Sequence, residues 1–145
     1  MIGQLALDII TKAKSIESNG FGTTVKRVGL AAGGTAIDPL MEKVARPAAW
    51  VIFVGDQNTD QTSDQGNCAG AQVSVNFIVK IIMDYDTEAD LINVQYPLLK
   101  EVIRSINGTQ GPLGAKRWKY EGQTLDELSA NRVVFDQRYS ITTIL

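Results

Sequence analysis

Two long stretches of alternating apolar and polar residues constrain this chain more than any other feature. They span Ala71–Met83 and Arg132–Leu145, and a period of two residues is typical of a β-strand with one buried face. At about 3.3 Å per residue, each strand would extend on the order of 40–45 Å. A compact domain of 145 residues has a diameter of about 38 Å. Strands of this length must therefore bend or reach beyond one domain to contact another chain.

The rest of the sequence predicts two amphipathic helices and three shorter strands. Apolar residues recur at helical spacing from Ile2 to Ile16 and from Leu91 to Ile106, where Pro97 predicts a kink or a helix that begins there. The three shorter strands are predicted at Thr24–Leu30, Ala48–Val54 and Lys116–Tyr120. Gly122–Asn131 is predicted to be the connection to the last long strand. The order α-β-β-β-α-β-β predicts an α+β fold with a mostly antiparallel or mixed β-sheet, two helices packed on one face, and long protruding strands. We expect residues 1–145 to form a single domain.

The composition excludes most catalytic mechanisms. The chain contains no histidine and a single cysteine, so Ser-His-Asp and Cys-His mechanisms, histidine metal sites and an intramolecular disulfide are excluded. The 14 basic and 16 acidic residues give a net charge of −2, whereas nucleic-acid binders usually carry a basic excess. No segment approaches the 18 apolar residues of a membrane span. The sequence therefore predicts no catalytic residue, no metal site, no cofactor, no membrane span and no specific binding to nucleic acid.

A polar segment at Asp56–Gly70 is a candidate partner-facing or lumen-facing loop. It carries Asp56, Asn58, Asp60 and Asp64 and no basic residue. The first three of these fit the opening ligand positions of a calcium loop, but the later positions lack the turn glycine and the bidentate glutamate that such a loop needs. Because the like charges repel one another, we expect a mobile loop rather than a calcium site.

The length of the two long strands also predicts how the chain assembles. A protruding strand pair with an apolar face is an aggregation hazard for a monomer and a normal device for a ring-forming subunit. We therefore expect the long strands to pair with neighbouring copies. The residues predicted to form this oligomer interface are Val75, Phe77, Val133, Phe135, Tyr139 and Ile141.

The C-terminal third of the chain resembles a known family. A helix ending in Val102–Gly108 (VIRSING) is followed by Arg117–Gly122 (RWKYEG) and by the strand Arg132–Ile141 (RVVFDQRYSI). Together with the apolar strand, polar loop and long strand that precede it, this succession is similar to the tail terminator (tail-completion) proteins of long-tailed bacteriophages, particularly contractile, Mu-like phages. The resemblance covers most of the chain from about Ala48 onward.

The resemblance implies a structural protein without enzymatic activity, located in the tail of a virion assembled in the host cytoplasm. Six copies would form a ring on the last ring of the tail tube protein, stop its polymerisation and offer a surface to the head–tail connector. The ring would contact the sheath in a contractile tail, and its lumen would let DNA pass. Two alternatives remain open: another neck or tail-tube component, and a small-molecule-binding domain of ferredoxin-like topology.

Overall fold

The helices and strands follow the predicted order. The structure, a computed structural model, describes residues 2–14, 27–30, 47–58, 72–112 and 114–144. Its elements are α1 (Ile2–Lys14), β1 (Arg27–Leu30), β2 (Ala48–Asn58), β3 (Gln72–Asp84), α2 (Glu88–Asp90), a π-helical segment (Leu91–Gln95), α3 (Tyr96–Ile106), β4 (Lys119–Leu128) and β5 (Arg132–Ile144). The predicted α+β fold class is confirmed. The predicted end of the first helix at Ile16 and the predicted strand start at Thr24 lie outside the described residues.

One mixed sheet joins all five strands in the spatial order β1-β2-β3-β5-β4. Strands β2, β3, β5 and β4 are antiparallel to their neighbours, and β1 adds in parallel to the beginning of β2. The two long strands lie side by side, paired from Gln72 with Ile144 to Asp84 with Arg132. Both therefore have a neighbour on each side within the same chain.

The core forms between one face of this sheet and the two longer helices. Every second residue of β3 is buried from Val73 to Met83, as its period of two predicts. The helices bury their apolar stripes in the same cluster. These stripes are Leu5, Ala6, Ile9 and Ala13 on α1, and Leu98, Leu99, Val102 and Ile106 on α3. Each large aliphatic side chain buried in this way contributes about 1.5–3 kcal/mol.

A widened turn accommodates Pro97 at the start of α3. The backbone N–H of Tyr96 donates to the carbonyl of Leu91, five residues earlier. Proline has no N–H, and in a regular helix its ring would clash with the carbonyl four residues before it. The main helix begins next to Pro97, as the second predicted outcome has it, but the helical segment runs from Glu88 to Ile106 without the predicted break. Thr87 starts the helical segment with a capping box, in which its side chain accepts from the Asp90 N–H.

The prediction for β4 was wrong. A single strand runs from Lys119 to Leu128, where the sequence predicted a short strand and a connection. Its pairing with β5 shifts register between Tyr120 and Gly122 and again between Leu125 and Glu127. Gly122 has a φ of 130°, a conformation that favours glycine. These irregularities interrupt the period of two by which a strand is predicted, so the pattern of β4 does not indicate a strand.

The predicted boundary between β2 and the polar loop was also wrong. Strand β2 continues past Val54 to Asn58, and its last residues pair with the beginning of β3. Asp and Asn are rare in strands, but strand propensity depends strongly on the neighbouring strand. The partner strand β3 therefore extends β2 into a segment whose composition predicts a loop.

We expect Gly111→Ala to lower the free energy of unfolding by about 1–3 kcal/mol because it overpacks the core. A Cβ at this position would overlap the end of the Ile141 side chain and approach the Lys116 carbonyl oxygen at 2.9 Å. Urea denaturation measures the change. The control is Gly3→Ala on α1, where a Cβ meets nothing within 4 Å and stability should stay the same or rise. An equal loss in both variants would contradict the packing explanation.

Candidate functional site: the edges of the sheet

The six residues predicted to form an oligomer interface all lie on the helix-facing side of the sheet. Phe135 is half-buried and packs against the core cluster. The other five are at most 1% exposed and belong to that cluster: Val75, Phe77, Val133, Tyr139 and Ile141. Because their side chains are packed inside their own chain, they can support assembly by holding the strands in place. Their direct contact with a neighbouring copy stays a prediction.

The polar residues predicted to face a lumen or partner are only partly described. Asp56 lies near the end of β2 and is exposed, and Asn58 pairs with Val73 of β3. Asp60 and Asp64 lie outside the described residues, so the predicted mobile loop stays a prediction. Within the ranges that the structure describes, no group of three Asp, Glu, Cys or His side chains could hold a metal ion. None of the helices in those ranges is long and apolar enough to cross a membrane.

Three stretches of sheet edge have no strand partner among the described residues: the outer side of β1, the outer side of β4, and residues 52–58 of β2. Strand β4 pairs only with β5, which leaves its outer side open. Strand β1 pairs with β2 as far as Val51, and residues 52–58 pair only with β3 among the strands that the structure describes. An open edge presents a row of backbone N–H and C=O groups that can accept another strand. These edges are the part of the described surface best suited to sheet extension.

Exposed apolar side chains accompany the edge at β4. Ile92, Tyr96, Leu125 and Leu128, which we call the β4 patch, are 45–63% exposed. Phe135 links two of them, because it pairs with Leu125 and its ring lies edge-on to Tyr96 at a centroid distance of 6.1 Å. Connected apolar surface of this kind marks interaction sites on soluble proteins.

A smaller apolar group accompanies the open edge of β2. Phe53 and Val54, which we call the β2 patch, are both exposed. Phe53 lies on the helix-facing side, where its ring meets Phe77 edge-on at a centroid distance of 5.7 Å, and Phe77 in turn meets Trp118 at 5.9 Å. Phe53 is therefore the exposed end of a row of three aromatic rings in contact. The two patches lie on opposite sides of the central strands β3 and β5.

A buried lysine holds the edge strand β4 on the sheet. Lys80 of β3 is fully buried, and its Nζ lies 2.7 Å from Asp126 Oδ2 of β4 and 2.9 Å from Asp136 Oδ1 of β5. Arg132 donates to both carboxylate oxygens of Glu127, which adds a second tie between β4 and β5. Burying a charged group is unfavourable unless it is paired, so Lys80 requires these carboxylates. The sequence shows this lysine only as one polar residue of a long strand and places Asp126 in a connection.

We expect Lys80→Met to lower the free energy of unfolding by about 3 kcal/mol or more, because it leaves the Asp136 carboxylate without its cation. The variant that also carries Asp126→Asn and Asp136→Asn should recover much of this loss, since no uncompensated charge remains. Urea denaturation of both variants measures the two values. If the single variant is as stable as the wild type, the buried ion pairs do not hold β4.

A buried hydrogen-bond network ties α3, β4 and β5 together on the other face of the sheet. The amide of Gln137 donates to the Leu99 carbonyl of α3 and to Gln123 Oε1 of β4, each at 3.1 Å. Tyr139 Oη donates to Gln137 Oε1 at 2.7 Å. Burial, and to a smaller extent the neighbouring Tyr120, raises the pKa of Tyr139 above its ordinary value. The network satisfies a polar amide that is fully buried among apolar side chains.

We expect Tyr139→Phe to cost about 1–2 kcal/mol at pH 7, because Gln137 Oε1 loses its donor. A raised pKa in the folded state means that Tyr139 keeps its proton when the unfolded chain has lost it. Its contribution is therefore complete below the unfolded pKa of 10.0 and declines as the pH rises above that value. Urea denaturation from pH 7 to pH 11 should show the difference between wild type and variant narrowing above pH 10. A constant difference would contradict the burial of this hydroxyl.

The arrangement defines a class of protein: an α+β sheet with two helices on one face and exposed apolar groups at its edges. Among solved structures, its fold is similar to that of a chain in the virion of the native gene transfer agent (GTA) particle, with a TM-score of 0.61. The similarity covers 99% of this chain and 97% of that chain, at 12% sequence identity. No family model and no curated protein sequence matches the chain. The two chains therefore share a fold.

Proposed function

We propose that this protein is a structural virion protein, and specifically a tail terminator. Six copies form a ring that caps the tail tube, stops its polymerisation and presents a joining surface to the head–tail connector. The observation that carries the proposal is the likeness of fold to a virion chain over almost the whole length of both chains. The resemblance of residues 102–108, 117–122 and 132–141 to tail terminators supports the finer assignment.

The two apolar patches support assembly into a ring. A ring is built from heterologous contacts, in which each subunit uses two different surfaces and meets a neighbour at each of them. The β4 patch and the β2 patch differ in size and lie on opposite sides of the central strands β3 and β5. A chain with two such surfaces can continue from copy to copy until the rotation closes. The number six comes from the family resemblance alone.

Termination of tube polymerisation requires binding surfaces and no catalytic turnover. One face of the ring must reproduce the binding surface of the tube, and the other must refuse the next tube ring while it accepts the connector. Repulsion between like charges discriminates against a wrong partner at such a contact. Asp56 is exposed at the end of β2, and with Asp60 and Asp64 it is our candidate for the refusing or connector-facing side. A sheath, where the tail is contractile, would contact the outside of the ring.

The proposal is tested by deleting the gene for this protein in cells that produce the particles. Cells producing particles without it should contain overlong tails, or heads and tails that fail to join, and the wild-type protein should restore joined particles. Loss of all tails would instead indicate a tube component, and unjoined tails of normal length a neck component. Tails of normal length joined to heads would show that the proposal is wrong.

The second measurement is the mass of the purified protein in solution. Light scattering over a range of concentrations should show a species several times the 15.8 kDa of one chain. A monomer at every concentration, together with a bound metabolite, would favour the small-molecule-binding alternative. The surface cavity lined by Gln4, Leu7, Asp8, Thr11 and Pro112 has a volume of about 340 Å³, near the lower limit of ligand pockets.

A further inference from the structure

We infer that neighbouring copies meet head to tail, with the acidic end of one chain bound to the basic end of the next. The acidic end is defined by Asp86 and Glu88 at the start of α2, and the basic end by Lys116 and Arg117 just before β4. This inference rests on the proposed function, because it takes a second copy of this chain as the partner. It deepens that function by naming the charged side chains that meet between subunits.

The two charged groups lie beside opposite ends of β5. The Tyr85 N–H donates to the Asn131 carbonyl at 3.1 Å, which places the acidic end beside the beginning of this strand. The Lys116 N–H donates to the Thr142 carbonyl at 2.9 Å, which places the basic end beside its last residues. Residues 131 and 142 are about 35 Å apart along an extended strand. A ring needs two different surfaces on each subunit, and these two ends meet that requirement.

The charges at both ends are available to a second chain. Asp86, Glu88 and Lys116 are exposed, and within the described part of the chain none of the three forms an ion pair. Arg117 is also exposed, and its guanidinium donates to the Gly108 carbonyl at 2.7 Å. A head-to-tail contact brings opposite charges together, whereas a two-fold contact at either end would bring like charges together. The charge pattern therefore favours a contact that repeats from copy to copy over a two-fold dimer.

A cavity at the acidic end fits a long cationic side chain. It is lined by Glu88, Leu91, Ile92 and Tyr96 and has a volume of about 280 Å³, which is below the usual range of small-molecule pockets. A lysine packs its aliphatic stem on apolar surface and keeps its ammonium group at a polar site. In the head-to-tail contact, Lys116 of the next copy lays its stem against Ile92 and Tyr96 and brings its ammonium group to Glu88.

The apolar patches follow the same division between the two ends. Leu128 of the β4 patch pairs with Val133, near the beginning of β5. Phe53 of the β2 patch is level with Tyr139, six residues further along β5, because both pair with Phe77. The β4 patch therefore belongs to the acidic end, and the β2 patch lies nearer the basic end. Apolar surface accompanies the charges toward both ends of the subunit.

The first test is a zero-length cross-link in the wild-type protein. A carbodiimide condenses a carboxylate and an amine that are in contact into an amide, with loss of water. Mass spectrometry of the cross-linked oligomer should identify an amide between Glu88 and Lys116. Since the two ends lie about 35 Å apart in one chain, this link can form only between copies. Lys100 on α3, which is also exposed, serves as the control and should not be linked to Glu88.

The second test reverses the charges. Glu88→Lys and Lys116→Glu should each weaken self-association at least tenfold, because either variant alone places like charges at every contact. An equimolar mixture of the two should recover the association, since alternating copies again bring opposite charges together at each contact. Lys116→Arg keeps the charge and should associate as the wild type does. Light scattering measures the association, and circular dichroism verifies that the variants fold.

The outcomes separate this contact from the proposed function. Rings of full mass in both single variants, without the link between residues 88 and 116 in the wild type, would overturn the head-to-tail contact and leave the proposed function standing. Single variants that dissociate and do not recover on mixing would also contradict the contact. A wild-type protein that stays monomeric at every concentration would overturn the ring itself.

Discussion

The pairing of β3 with β5 is the interaction on which the rest of the structure depends. The two 13-residue strands pair along their whole length without a register shift. Each strand carries apolar residues of the core on one face. Along its other edge, β3 pairs with β2 and β5 pairs with β4. The helices pack where these two strands supply a continuous buried surface. If this ladder were displaced by one residue, every core side chain of the displaced strand would move to the opposite face.

Two buried polar groups, one on each face of the central pair, stabilise this arrangement. Lys80 reaches Asp126 and Asp136 on one face, and Gln137 reaches Gln123 and the backbone of α3 on the other. Both groups connect the central strands to β4. A register slip would leave either group buried without a partner, which is far less favourable than an apolar mismatch. The edge strand therefore has a defined position although its own sequence lacks a regular pattern.

The sequence predicted the element order, the two long strands and both helices, because each of these elements repeats its apolar residues at a regular period. It failed for β4, whose bulges break the period and whose exposed position needs few apolar residues. It failed for the end of β2 because pairing with β3, a tertiary effect, overrides the polar composition there. Apolar alternation at Val133 and Tyr139 shows that a face is buried but does not show what buries it. The open edges have no sequence signal, since they depend on which strands occupy the middle of the sheet.

The central position of β5 has a consequence for synthesis on the ribosome. This strand follows every other described element in the sequence, yet it lies between β3 and β4. The α1 helix is likewise tied to a late residue, because Trp118 Nε1 donates to Asp8 Oδ2 at 2.8 Å. Contacts between such distant residues form slowly, and the core cannot close until β5 has left the exit tunnel. The nascent chain therefore cannot form the complete five-stranded sheet before β5 has been synthesised.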